Sequence, residues 1–129
     1  MSGLKPSGNK LKSYRELRVW QRSFVLANRL YEVTADYPKT QLYGLVSQIQ
    51  RAGVSIPSNI AEGYNRNSRK EYIRYLSIAL GSVAELETQL LISKEQRYVT
   101  PQIVAPLLAE LDELGKMLRV MQKKLIAKP

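Results

Sequence analysis

A proline inside an amphipathic helical pattern is the feature that most constrains how this chain folds. In residues 44–64 the apolar positions recur three or four residues apart, as on one face of an α-helix. These positions are Leu45, Ile49, Ala52, Ile56 and Ile60. Pro57 lies within the pattern, lacks an amide hydrogen and collides with the carbonyl group of Gly53, four residues earlier. The sequence therefore predicts a helix over about 41–63 that bends between Gly53 and Pro57.

The same helix has a continuous stripe of polar side chains beside its apolar face. Its members are Gln48, Arg51, Ser55, Ser58 and Glu62, and Asn59 falls in line with the apolar residues. Two interpretations are open. The stripe is either a subunit interface or lined pore, or an intrachain hydrogen-bond network around the bend. Glu87 is expected near the packed side of the third helix, either buried and paired with Arg51 or another cation, or in an ordinary polar contact at the edge of the bundle.

Three further segments show helical periodicity, which predicts an all-α chain. They span 17–37, 68–96 and 100–125, and the predicted connections lie near 38–40, 64–67 and 97–100. Four helices with short loops favour an antiparallel up-down-up-down four-helix bundle. The predicted divisions are a basic N-terminal tail at 1–13, the bundle at 14–126 and a short tail at 127–129.

Several residues receive specific places in this bundle. Helix caps are expected at Gly63, Ser68 and Thr100. Gly81, inside the third helix, indicates that another helix or chain approaches closely there. Trp20 and Phe24 lie on the apolar stripe of the first helix, so we interpret them as core residues rather than as platforms for stacking bases.

Composition removes most catalytic chemistry. The 129-residue chain contains no His and no Cys, so it lacks the usual zinc ligands, general base and cysteine nucleophile. Glu85 and Glu87 lie about 200° apart around a helix and cannot act as one acid–base pair. We therefore predict a protein that is not an enzyme and has no metal or cofactor. It has neither a run of about 18 apolar residues nor an apolar signal core, which predicts a cytoplasmic protein without a membrane helix.

Positive charge dominates the chain and is unevenly distributed. The net charge is +9, to which 1–75 contribute +8, 76–115 contribute −4 and 116–129 contribute +5. This balance favours polyanion partners, although blocks of opposite sign would equally guide one subunit onto another. One basic cluster consists of Arg66, Arg69, Lys70 and Arg74. It is either a phosphate-binding site near a helix N-terminus or a solvated turn. The basic C-terminal residues suit a helix end on dipole grounds alone.

Three segments together resemble a known family. They are LRVWQ at 17–21, the motif SIPSNIAEG at 55–63 with the Gly, Gln and Arg residues that precede it, and GSVAELETQL at 81–90. They are similar to the four-helix-bundle proteins encoded in intervening sequences of bacterial large-subunit ribosomal RNA genes. Those proteins are similar in turn to accessory variability proteins of diversity-generating retroelements. The resemblance covers about 14–125 and implies a four-helix bundle assembled as a homopentamer. Gln50, Gly53 and Asn65 depart mildly from the family pattern.

The charge and the resemblance together favour a non-enzymatic, oligomeric binding protein. Its expected partners are other copies of the chain and a nucleic acid, RNA first, held through the basic surface. No zinc finger, helix-turn-helix spacing or glycine-rich phosphate loop is present in the sequence, so base-specific recognition is not expected. The alternative is a protein–protein interaction scaffold, in which the basic surface only promotes solubility and assembly.

Overall fold

The computed structural model describes residues 11–128, and within that range the chain is helical throughout except for short connections. The four long helices are α1 (Arg18–Thr34), α2 (Ser47–Tyr64), α3 (Arg69–Glu95) and α4 (Pro101–Ala127). Shorter helical segments are Tyr14–Glu16, Lys39–Gln41 and the π-helical Leu42–Val46. Residues 11–128 contain no strand, so the predicted all-α class with four helices is confirmed.

The helices form a bundle in which each packs against the next and α4 packs back against α1. Contacts at both ends establish the antiparallel order. At one end the Arg69 guanidinium donates to the backbone carbonyl of Lys128, with 2.7 Å between Nη1 and O. At the other end the rings of Tyr37 and Tyr98 lie 5.9 Å apart between their centroids. The start of α1, the α2–α3 connection and the end of α4 therefore share one end of the bundle.

The core is filled by branched aliphatic side chains at the predicted helical spacing. The most deeply buried of these are Leu30, Ile49, Ile56, Ile60, Leu76, Leu86, Leu90, Leu111, Leu114 and Leu118. Leu11 also packs against this core, and the Tyr64 hydroxyl donates to its carbonyl oxygen at 3.4 Å. The bundle contacts thus begin three residues before the predicted boundary at 14, and residues 1–10 of the predicted tail lie outside the described residues.

Two glycines allow α2 to approach its neighbours closely. A Cβ atom added at Gly53 would lie 2.5 Å from Leu30 Cδ1 on α1, and one added at Gly63 would lie 2.8 Å from Tyr75 Cβ on α3. Gly63 does not cap α2, because the helix continues to Tyr64. Its role is close packing rather than the predicted termination. The other two predicted caps are confirmed: the Ser68 and Thr100 hydroxyls accept from the amides three residues later.

The backbone irregularity of this region precedes α2. Gly44 has non-helical dihedral angles (φ −114°, ψ −110°) within the π-helical segment, whereas α2 runs unbroken through Pro57. The continuous α-helix therefore starts at Ser47, about six residues later than the apolar pattern predicted. The bend between Gly53 and Pro57 stays a prediction.

An ion pair that the sequence did not reveal joins α1 to α4. The Arg22 guanidinium donates to both carboxylate oxygens of Glu110, with distances of 2.9 Å from Nε and 2.5 Å from Nη2. This hydrogen bonding raises the pKa of Arg22 above its ordinary value. Bidentate charge-assisted pairs are stronger than single ones, and this pair is only about 30% exposed on each side.

We expect Gly63→Ala to destabilise the protein. The added methyl group collides with Tyr75 Cβ, and such overpacking costs about 1–3 kcal/mol, against a helix-propensity gain of about 1 kcal/mol at most. The free energy of unfolding, measured with urea, should therefore fall by about 1 kcal/mol. Ser58→Ala, at an exposed position on the same helix, is the control and should leave the free energy of unfolding unchanged. Equal stability of the Gly63 variant and wild type would contradict the proposed packing role.

A double-mutant cycle should show that Arg22 and Glu110 are coupled. With Arg22→Ala, Glu110→Ala and the double variant, unfolding should give a coupling free energy of about 1 kcal/mol. The pair Arg29–Glu32, 52% and 70% exposed, is the matched control and should give about 0.5 kcal/mol or less. Coupling no larger than in the control would show that the α1–α4 pair adds nothing to stability.

Candidate nucleic-acid interface and grooves around helix α2

Basic residues from three separate parts of the chain meet at one end of the bundle. We call this the basic end and define it as residues 11–18, 62–74 and 119–128. It contains eleven Lys and Arg against three Glu, a local formal charge of +8. The cations are Lys12, Arg15, Arg18, Arg66, Arg69, Lys70, Arg74, Arg119, Lys123, Lys124 and Lys128. The opposite end, residues 32–43 and 92–104, has three of each sign and no net charge.

The predicted cluster occupies the centre of the basic end. Arg66 and Arg74 lie over the ring of Tyr75, with 5.1 Å and 4.6 Å between guanidinium carbon and ring centroid. Each also pairs with a nearby carboxylate, Arg66 of the α2–α3 connection with Glu62 of α2 at 2.9 Å and Arg74 with Glu71, both of α3, at 3.3 Å. The hydrogen bond to Glu71 and its charge raise the pKa of Arg74. Because these ion pairs are exposed, each contributes little free energy, and a phosphate group can compete with the carboxylates for the arginines.

The other two residues of the cluster are differently engaged. Arg69 donates to the backbone carbonyl of Lys128 and so ties the α3 N-terminus to the α4 C-terminus. Lys70 is exposed and forms no ion pair with any carboxylate of residues 11–128. The four predicted residues therefore lie together, and the chain's C-terminal lysines are their neighbours. Sequence reasoning missed that link because it considered those lysines only as a complement to the helix dipole.

The polar stripe of α2 divides between an internal network and the surface. Ser55 is half-buried and accepts hydrogen bonds from Ser82 Oγ at 2.7 Å and from Asn59 Nδ2 at 2.9 Å. The remaining members, Gln48, Arg51, Ser58 and Glu62, are exposed. The intrachain interpretation thus holds for Ser55 and Asn59, whereas the exposed members leave the interface interpretation open.

A polar groove of about 370 Å³ lies between α2 and α3. Its lining consists of Gln48, Arg51, Ala52, Ser55, Glu85 and Gln89. The Gln89 side chain is about nine-tenths buried, and its Oε1 accepts no hydrogen bond from residues 11–128. The carboxylate that shares the groove with Arg51 belongs to Glu85. Glu87 is half-buried and makes no ion pair within the described range, so the expected Arg51–Glu87 pair is not present there.

An aromatic groove of about 330 Å³ lies between α1 and α2. It is lined by Tyr14, Trp20, Phe24, Ala27, Asn28, Tyr31, Val54, Pro57, Ser58 and Ala61. The interpretation of Phe24 as a core residue is wrong, because its side chain is 48% exposed. The buried face of α1 is centred instead on Val19, Leu26, Leu30 and Val33. Trp20 is half-buried beneath Phe24, with ring centroids 5.0 Å apart and planes 24° apart.

Helix α3 also exposes single aliphatic side chains. Ile78, Leu91 and Ile92 are between 39% and 46% exposed, and the exposed Glu85 and Thr88 lie on the side of the helix between Ile78 and Ile92. A Cβ atom added at Gly81 would meet no described atom within 4 Å, so the close approach predicted at Gly81 does not occur within residues 11–128. By length and composition alone α3 could span a membrane, contrary to expectation. A bundle core helix passes the same test, and 44% of the apolar window is buried within the bundle.

The described residues offer no obvious metal site. Within 11–128 no group of three or more acidic, His or Cys side chains is arranged to hold a metal ion.

Comparison with known proteins identifies the family. The family model described as 23S rRNA-intervening sequence protein matches residues 15–120. The chain is also similar to a crystal structure from Bacteroides thetaiotaomicron VPI-5482, described as a protein with unknown function from the S23 ribosomal protein family. The TM-score is 0.74 at 28% sequence identity, over 81% of this chain and 98% of that chain. Among curated proteins, none matches this sequence. The chain belongs to the 23S rRNA-intervening sequence protein family.

Proposed function

We propose that this protein is a non-enzymatic, homo-oligomeric RNA-binding protein whose basic end contacts RNA phosphates. The observation that supports this most strongly is the separation of charge along the bundle. One end has a local formal charge of +8, whereas the positive and negative residues of the opposite end balance to zero. A field of that size concentrates a polyanion at one end of the molecule and orients it before contact.

The local geometry of the basic end suits phosphate rather than bases. The α3 N-terminus at Arg69 provides backbone amides and the positive end of a helix dipole. Arginine and lysine side chains of three segments share this end of the bundle. Such contacts fix the position of the nucleic acid without reading its sequence. We therefore expect binding that depends steeply on salt and has little sequence preference.

Assembly is the second part of the proposal, and the outward face of α3 supports it. This side presents Ile78 and Ile92, the exposed Glu85 and Thr88 between them, and open space above Gly81. Subunit interfaces mix apolar and polar side chains in this way. The resemblance noted above implies a homopentamer, and we propose that α3 provides one of the two unlike surfaces that a ring requires.

The remaining parts of the proposal follow the composition. We propose that the protein needs no cofactor, since the chain lacks the His and Cys side chains that commonly bind metals. We also propose that it is cytoplasmic, since it has no Cys for a disulfide, and that it does not act at a membrane, since α3 packs within the bundle. The rival function is a protein–protein interaction scaffold. The exposed isoleucines of α3 favour that alternative as much as they favour self-assembly, so RNA binding must be tested directly.

Charge reversal at the basic end should weaken RNA binding, whereas the same reversal at the opposite end should not. We expect Lys123→Glu with Lys124→Glu to lower affinity for a single-stranded RNA by tenfold or more. Each lost phosphate contact should also reduce the salt slope by about 0.7. Lys39→Glu with Arg97→Glu changes the net charge equally and is the control. Filter binding at two salt concentrations measures both quantities. Equal losses in the two double variants would contradict the proposed site.

Introducing charge on the α3 face should disassemble the oligomer. We expect Ile78→Glu with Ile92→Glu to reduce the mass found by light scattering to that of the monomer, with helical circular dichroism retained. Val120→Glu, at a comparably exposed apolar position on α4, should leave the mass unchanged. A wild-type protein that already has the monomer mass at micromolar concentration would remove the assembly part of the proposal.

A further inference from the structure

The aromatic groove continues along the bundle beyond Phe24. A second depression, lined by Tyr31, Ser47, Gln50, Arg51, Val54 and Ser55, shares Tyr31 and Val54 with it. The two depressions form one channel that follows α2 from Ala61 back to Ser47. At 1.5 Å per residue this is about 21 Å long. The channel begins beside Tyr14, within the basic end.

The channel contains two exposed aromatic rings. Phe24 and Tyr31 are 48% and 50% exposed and lie seven residues apart on α1, or about 10 Å along the helix axis. Ala27 lies between them, where a small side chain leaves a gap, and Val54 and Pro57 of α2 also line this part of the channel. Flat rings stack about 3.5 Å apart, so this span accommodates two stacked rings between Phe24 and Tyr31, with aliphatic carbon of the channel beside them.

The charged residue that lines the channel is positive. None of its lining residues is an Asp or Glu. Arg51 lines one end, and at the other end the Arg15 guanidinium lies 5.9 Å from the centroid of the Tyr14 ring. Neither arginine forms an ion pair with a carboxylate of residues 11–128. The ligand that suits this surface has flat aromatic groups and a negative backbone.

Polar atoms along the channel suit the edges of such rings. Asn28 donates its amide hydrogen to the Phe24 carbonyl at 2.9 Å, and no described donor engages its side-chain oxygen. Ser58 is exposed and also lines the channel. Groups of this kind hydrogen-bond the edges of many bases without selecting one strictly.

We propose that the α1–α2 channel binds single-stranded RNA by stacking its bases on Phe24 and Tyr31. This inference rests on the proposed function, in which the basic end holds the phosphates, and adds that the partner is single-stranded. In a duplex the bases are already stacked on each other, whereas an unpaired strand can turn them outward onto aromatic side chains. Stacking platforms combined with a basic surface are the usual means of binding single strands.

The experiment compares two ligands with the same number of phosphates: a decamer of riboadenylate and a decamer whose bases are absent. Both carry a fluorescent label, and anisotropy gives their affinities. The riboadenylate decamer should bind roughly 5- to 150-fold more tightly than the abasic one for each base stacked. Its binding should also change the emission of Trp20, the only tryptophan in the chain, which lies directly beneath Phe24.

Variants of the channel separate stacking from charge. Phe24→Leu and Tyr31→Leu should each lower the affinity for the riboadenylate decamer and leave that for the abasic decamer unchanged. Val25→Ala, at an exposed α1 position outside the channel, should change neither.

The outcomes are distinguishable. Equal affinity of the wild type for both decamers would overturn the stacking inference while the phosphate site at the basic end stands. Failure to bind either decamer at low salt would overturn both. Loss of oligomer mass in Phe24→Leu, seen by light scattering, would assign the channel to contact with a second copy of the chain and would also overturn the inference.

Discussion

The structure depends on the close approach of α2 to both neighbouring helices. Leu30 fills the space that a side chain at Gly53 would need, and Tyr75 does the same at Gly63. The short distance also allows the hydroxyls of Ser55 and Ser82 to bond across the α2–α3 contact at 2.7 Å. Both grooves lie along the edges of α2, so their shape follows from this packing.

The helices were predictable because their signals are local. Periodicity and the caps at Ser68 and Thr100 placed the start of α3 and α4 within about a residue. The rotation of α1 was not predictable in the same way. Its apolar residues form two overlapping stripes at helical spacing, one aliphatic and one aromatic. The partners of α1 decide which stripe is buried, and the aliphatic one packs against α2 and α4. The aromatic stripe is therefore left along a groove.

The candidate RNA site was predictable only where its residues are contiguous. Residues 66–74 stand out as a basic cluster in the sequence itself. Their proximity to residues 119–128 results from the antiparallel arrangement of the helices, which local sequence patterns do not reveal. The Arg22–Glu110 pair is similar, since 88 residues separate its members. The Gly63 cap failed for a different reason: a glycine near a helix end is equally compatible with termination and with close packing, and only the neighbouring helix distinguishes the two.

The antiparallel order has a practical consequence for work with this protein. Because α1 begins and α4 ends at the same end, Leu11 and Lys128 both lie beside the proposed RNA surface. A basic or histidine-rich affinity tag fused directly to Leu11 or to Lys128 would add its own attraction for polyanions or cover that surface. The connection between α3 and α4 at 96–100 lies about 40 Å away along a 27-residue helix. A dye or purification peptide placed there would leave the binding end unobstructed.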